Sequence, residues 1–353
     1  MPEDLAWLGV AEAGRLFRSG ALSPVELTRA LLSRIERLEP TLHAFILVTP
    51  ERALAQAGKA AAELASGLDR GPMHGIPYAL KDIADVAGLP TTCHSKILAS
   101  NVATRDAALV TLLDAGGAVM LGKSALHEFA SGGPAEDLPW PAARNPWNPA
   151  LHPGGSSSGS GTALAAGFVP AAVGTDTAGS IRNPATCCGL VGMKPTFGLV
   201  PAEGVFPLAP SLDHAGPMTR SVEDNALMLS VLCGQPASSF TSGLGSGVKG
   251  LRVGVLEHFY TEDTTADPRM VAAINAACFV LRDLGADVSP VRLSPLREWE
   301  ACGRTIQQFE QYAVHAEWLR TRSGDYGSLG PVSYTHLRAH ETKANLVCRL
   351  LLE

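Results

Sequence analysis

The sequence predicts an α/β fold containing parallel strand pairs. Residues 251–256 read as a strand, 270–284 as an amphipathic helix and 286–288 as a second strand, an order that closes as a right-handed parallel unit. Residues 107–113 followed by 118–121 repeat the alternation as a helix and then a buried strand. No Pro/Ser-rich linker divides the 353 residues, so a single domain over 1–331 with one large core is expected, and the Ser- and Gly-rich stretch 235–249 reads as a loop rather than a boundary.

The elements follow in order. Ser23-Pro24-Val25-Glu26 is a capping box with proline at the first helical position, and Leu22 and Leu27 can form the hydrophobic staple. Leu27, Ala30, Leu31 and Ile35 then line one face of that helix. Residues 50–68 are alanine-rich and predict a second helix. Ser221-Val222-Glu223-Asp224 caps another, which should end near Gly234.

Three segments carry candidate chemistry. Gly154-Gly155-Ser156-Ser157-Ser158-Gly159-Ser160-Gly161 is followed by Gly174-Thr175-Asp176-Thr177-Ala178-Gly179-Ser180-Ile181-Arg182, which places Ser180 24 positions after Ser156. Lys81 lies upstream, behind an apolar run. A serine hydroxyl needs a base within hydrogen-bond reach, and lysine serves only when neutral. Burial can bring its pKa to roughly 7–8, where it accepts a proton. Backbone N–H groups of Thr177, Ala178, Gly179 and Ser180 suit a developing oxyanion, because Gly179 permits the positive φ of a tight turn.

These segments resemble the amidase signature family of serine hydrolases. The likeness extends through Lys123-Ser124, Glu128-Phe129-Ala130, Asn145-Pro146-Trp147-Asn148, Gly192-Met193-Lys194-Pro195-Thr196 and Asp213-His214 to Gly216-Pro217-Met218-Thr219-Arg220, over most of residues 5–330 with a motif core of about 71–231. It implies a mixed central sheet covered by helices on both faces. It also implies Ser180 as nucleophile, Ser156 on a cis peptide as the bridging serine and Lys81 as the base acting through it. Asp176 and Arg182 become supporting residues, with Ser157 beside them, and Ala130, Ser131 and Gly132 part of a substrate wall. Ala178 departs from the second glycine that many members carry there. The implied activity is hydrolysis of a small-molecule linear amide with no metal or organic cofactor, by a homodimer or, in the alternative, by the glutaminase component of a tRNA-dependent amidotransferase with partner subunits.

Rival readings are weaker. Gly155-Ser156-Ser157-Ser158-Gly159 also fits the nucleophile elbow of α/β-hydrolases, but the residues before it carry Pro149 and Pro153 and no β-branched residue, against a central strand. The run lacks the Lys-Ser/Thr ending of a phosphate loop. His127-Glu128 opens like a zincin motif, yet position 131 is serine, so His127 reads as a residue near the cleft. Seven cysteines without a C-x-x-C pair suit neither a zinc site nor a disulfide framework, and point to a reducing cytosol; Cys187 and Cys188 read as packing residues.

A net charge of −6 without a basic block gives no footprint for nucleic acid. The longest apolar stretch, 163–173, is far short of the roughly 20 residues a membrane helix needs. The acidic start, Met1-Pro2-Glu3-Asp4, carries no signal-peptide pattern, so a cytoplasmic location is expected. Residues 332–342 resemble a translated sequencing-library adapter and 346–353 its continuation beyond a short index, 343–345. The expectation is therefore a fold incomplete at its C-terminal end.

Overall fold

A computed structural model describes residues 3–329, so the adapter-like segment 332–353 lies outside the described residues. By their contacts the described residues divide into two compact units, 3–241 with 308–329, and 242–307. The break falls inside the stretch 235–249 that reads as a loop in sequence, and the short helix Ser238–Thr241 precedes it.

The first unit is built on a six-stranded mixed sheet. Its strands are β1 (Phe45–Val48), β2 (Pro77–Lys81), β3 (Val119–Ser124), β4 (Ala171–Asp176), β5 (Val191–Gly192) and β6 (His214–Thr219), in the spatial order β1-β3-β2-β4-β6-β5. β2 runs parallel to both β3 and β4; the other pairs are antiparallel. Every residue of β2, β3 and β4 is buried, which is why their sequences show continuous apolar and small residues rather than alternation. Because the three strands are parallel, Lys81, Ser124 and Asp176 all stand at carboxyl ends on one edge of the sheet, where open α/β sheets place their sites.

Seven helices of this unit precede the break at residue 241 apart from Ser238–Thr241: α1 (Val10–Ser19), α2 (Pro24–Leu42), α3 (Pro50–Ala65), α4 (Ala108–Ala115), α5 (Ser158–Ala165), α6 (Arg182–Cys188) and α7 (Val222–Leu232). Of these, α2, α3, α5, α6 and α7 pack against strands of the sheet. The capping box of α2 is formed, with Ser23 N–H donating to Glu26 Oε2 at 2.8 Å, and Leu27, Leu31 and Ile35 are buried. Ser23→Ala is expected to lower stability by about 1 kcal/mol. The check is a lower denaturation midpoint at unchanged m-value. Ser221 Oγ accepts the Asp224 N–H at 3.1 Å, and the Asp224 carboxylate in turn accepts the Ala11 N–H at 2.8 Å, so the cap of α7 also closes the start of α1. α5 lies so close to the chain entering β1 and leaving β3 that a Cβ on Gly159 would sit 2.2 Å from the Ala44 carbonyl oxygen.

The expected elements are present with small shifts. The predicted helix 50–68 ends at Ala65, and the strand predicted over 118–121 runs on to Ser124, carrying Lys123 into the sheet. In the second unit the expected parallel pair is β7 (Arg252–Val255) with β8 (Asp287–Pro290), joined through α9 (Glu257–Thr261) and α10 (Pro268–Asp283), counting the Ser238–Thr241 turn as α8. α10 buries no residue, and its Met270, Phe279 and Val280 are exposed. None of the elements expected from the sequence covers α11 (Leu296–Thr321). That helix fully buries Gln311 and His315 and turns Tyr312, Trp318 and Leu319 partly inward beside them, so its inner face mixes polar and apolar residues.

Candidate active site

Lys81 ends β2 fully buried, and its Nζ donates to Ser156 Oγ at 2.8 Å and to Thr175 Oγ1 at 2.7 Å. Among the described residues it has no carboxylate within ion-pair distance. Burial brings its pKa down to about 7, against the opposing pull of Asp213, Asp176 and the Cys93 thiol. An amine with such a pKa is substantially neutral at physiological pH.

Ser156 is buried on the loop leading into α5, after a cis Gly155–Ser156 peptide. Its carbonyl accepts the His127 N–H at 3.1 Å. Ser157 ties the two motif segments together: its N–H donates to the Ser180 carbonyl at 3.2 Å, its hydroxyl donates to the Thr175 carbonyl at 3.2 Å, and its Oγ accepts the Thr175 N–H at 3.2 Å. Ser180 is half-buried at the start of α6, and its hydroxyl has no hydrogen-bond partner among the described residues. The contact from Lys81 to Ser156 is thus formed, while that from Ser156 to Ser180 is open, as is common before a substrate draws such groups together.

Asp176 organises the turn between them. Its carboxylate accepts the Gly179 N–H at 2.8 Å and the Ile181 N–H at 3.2 Å, and takes the Arg182 guanidinium in a two-point contact at 3.0 and 2.9 Å. Burial alone would raise its pKa, but the Arg182 bonds and charge with the two amides hold it below the ordinary carboxylate value. Gly179 has φ 124°. Of the four amides expected to face an oxyanion, that of Gly179 is committed to Asp176, leaving those of Thr177, Ala178 and Ser180 without a partner among the described residues.

Thr175 and Asp213 stand in the quoted motif segments, but sequence reasoning gave neither a role. Asp213 Oδ1 accepts the Thr177 hydroxyl at 2.5 Å, and Oδ2 accepts the N–H groups of Leu208 and Ala209 at 2.8 and 3.0 Å. Burial raises its pKa, opposed by these bonds. With Thr175, Thr177, Ile83, Ala130, Val205 and Phe206 it lines a small, mostly apolar cleft beside Lys81. Ala130 has φ 60°, Ser131 is half-buried and Gly132 is exposed with φ 79°. A separate cavity of about 610 Å³, lined by Trp7, Arg34, Trp147, Leu190 and Arg220 among others, contains none of the candidate residues.

His127 is half-buried, its Nε2 lies 3.1 Å from His152 Nε2, and desolvation followed by the His152 charge takes its pKa down to about 3. Since His152 Nδ1 accepts the Gly154 N–H, His152 donates from Nε2 to His127. Glu128 accepts the Ser95 hydroxyl at 2.6 Å and the Gly327 N–H at 3.0 Å, and burial, opposed by these two bonds, raises its pKa. Of the cysteine pair, Cys188 is buried and Cys187 exposed. Among the described residues no group of three or more His, Cys, Asp or Glu could hold a metal ion, and no helix is long and apolar enough to cross a membrane.

The chain is similar to several known proteins. The chain is 47% identical over 281 residues to the A component of the glutamyl-tRNA(Gln) amidotransferase of Methylococcus capsulatus, covering 77% of the chain and 57% of that protein. It is 44% identical over 296 residues to the same component of the Roseiflexus castenholzii enzyme, covering 81% and 60%. It therefore spans less than two thirds of these relatives' length. Among solved structures it resembles a crystallised amidase (TM-score 0.85, 32% identity, covering 95% of this chain and 75% of that one). It also resembles the peptide amidase of Stenotrophomonas maltophilia (TM-score 0.79, 34% identity, covering 97% and 73%). The Amidase family model matches residues 26–341, which include all three motif segments and the sheet that presents them, and on that match the chain belongs to the amidase signature family of serine hydrolases.

Proposed function

We propose that the chain carries an amide-hydrolysing site in which Ser180 is the nucleophile and Ser156 relays its proton to Lys81. The observation that supports this most is a fully buried lysine held 2.8 Å from Ser156 with its pKa lowered to about 7. Ser156 gives its proton to Lys81 and takes that of Ser180 as Ser180 Oγ attacks the carbonyl carbon. The oxyanion faces the amides of Thr177, Ala178 and Ser180. Collapse expels the amine, which takes the proton back along the same path, and water then cleaves the acyl-enzyme by the same steps in reverse order. Asp176, Arg182 and Ser157 hold the two serine segments in place, and Ala130, Ser131 and Gly132 border the substrate.

A fluorophosphonate tests the assignment. Intact mass should show one adduct, mapped by digestion to Ser180. An adduct on Ser157 would remove Ser180 from its role. Because the neutral amine is the base, labelling should rise with pH through about 7 and level off above it. A profile flat from pH 5 to 9 would exclude Lys81 as the titrating base.

The second reading is the glutaminase part of a tRNA-dependent amidotransferase, favoured by the 44–47% identity to the A component of such enzymes. Glutamine turnover that rises on adding partner subunits distinguishes it from a free-standing amidase acting on a small-molecule amide.

A further inference from the structure

Thr175 lies in β4, one residue before Asp176, and is buried. Its backbone is fixed through both its N–H and its carbonyl by the single hydroxyl of Ser157. Its own Oγ1 then faces Lys81 Nζ at 2.7 Å, as near as Ser156 Oγ at 2.8 Å.

A neutral amine has one lone pair and two N–H bonds, whereas an ammonium has three N–H bonds and accepts nothing. For Lys81 to take a proton from Ser156, its lone pair must point at Ser156 Oγ. Its N–H bonds then need another acceptor inside a buried site. We propose that Thr175 is a positioning residue whose hydroxyl oxygen accepts an N–H of Lys81 in both protonation states, turning the neutral amine's lone pair toward Ser156 and then holding the ammonium.

The proposal rests on the Ser–Ser–Lys reading above. In the transfer the Ser156 O–H bond breaks as the third N–H of Lys81 forms, Ser156 Oγ takes the Ser180 proton, and Thr175 keeps its own. The other groups that act on the amine are Asp176 at the end of β4, Asp213 before β6, Cys93 in the loop after β2 and His127 after β3. None of them offers Nζ a hydrogen bond among the described residues. The neighbouring Lys123 is already paired with Asp82.

The test compares Thr175→Val with Thr175→Ser. Two quantities are read: the NMR titration of 15N-labelled lysine side chains, with the Lys81 signal assigned by its loss in Lys81→Met, and the pH profile of fluorophosphonate labelling. Valine keeps the shape and loses the acceptor. It should lower the Lys81 pKa by about one unit or more, because a hydrogen bond to the charged form is removed. The acid limb of labelling should move down with it, and the plateau should fall about tenfold or more as the base weakens. Serine should titrate as the parent does. A valine variant that titrates like the parent, or a serine variant displaced as far as valine, overturns the proposal. If valine prevents folding, Thr175→Ala is read in the same way. If the parent takes no fluorophosphonate, the catalytic reading fails while the NMR titration still decides whether Thr175 sets the proton affinity of Lys81.

Discussion

Lys123→Met is expected to cost about 3–5 kcal/mol of stability, a large part of what holds a domain folded. Lys123 Nζ lies 2.7 Å from Asp82 Oδ1 with both side chains essentially inaccessible to water, and it also donates to the Pro90 carbonyl at 3.0 Å and Thr91 Oγ1 at 3.3 Å. The other Asp82 oxygen accepts the Thr92 N–H at 3.0 Å and the Thr92 hydroxyl at 2.5 Å. Removing the lysine leaves a buried carboxylate without its counter-charge, which is costlier than losing the pair as a whole. Adding Asp82→Asn removes that charge and keeps an acceptor for Thr92, so the double variant should regain more than half of the loss. Denaturant midpoints measure both. A loss below about 1 kcal/mol in the single variant would put the pair among ordinary surface ion pairs.

Lys81→Met should behave in the opposite way. Labelling of Ser180 is expected to fall by about 10²- to 10⁴-fold at pH 8, the usual contribution of general-base catalysis, and its rise through pH 7 should vanish. Stability should not fall as it does for Lys123. The folded-state pKa of Lys81, about 7, lies below its ordinary value of 10.5, so between these limits the unfolded chain holds a proton that the folded chain has released. Stability should therefore increase with pH across that window in the parent, and this component should be missing in Lys81→Met. Leu80, the residue before Lys81, pairs with Lys123 in the sheet, so the two lysines sit on adjacent strands. One faces a carboxylate, the other two hydroxyls, and that difference separates a structural cation from a candidate base. A methionine variant with undiminished labelling would place the base elsewhere.

The sequence was most informative where local chemistry decides local structure. Ser23 and Ser221 announce their helices because an N-terminal hydroxyl satisfies an orphan amide whatever the tertiary context. Ser156, Ser180 and Lys81 were legible as motif residues, and the structure brings Ser156 to Lys81 and fixes the Ser180 backbone through Ser157. Thr175 was not legible. A threonine in a buried strand looks like any β-branched residue, and only the pairing of β2 with β4 puts it against Lys81. The commitment of the Gly179 amide was hidden for a similar reason, since the turn that aims it at Asp176 is a matter of backbone path. α11 was missed because its inner face mixes Gln311 and His315 with Tyr312, Trp318 and Leu319, which blurs the apolar period.

The carboxylate of Glu128 has a consequence for the order in which the site is made. It closes the segment beside Ala130 by accepting the Gly327 N–H, a partner 199 residues further along the chain. During synthesis the earlier half of the protein, which carries Lys81, Ser156 and Ser180, emerges well before residue 327. The border of the cleft can be fastened only after that late segment appears, so the ribosome releases the candidate catalytic groups first and the fastening of the cleft last. Pausing or nicking the chain between residues 241 and 327 should therefore leave a folded sheet with an unfastened cleft border.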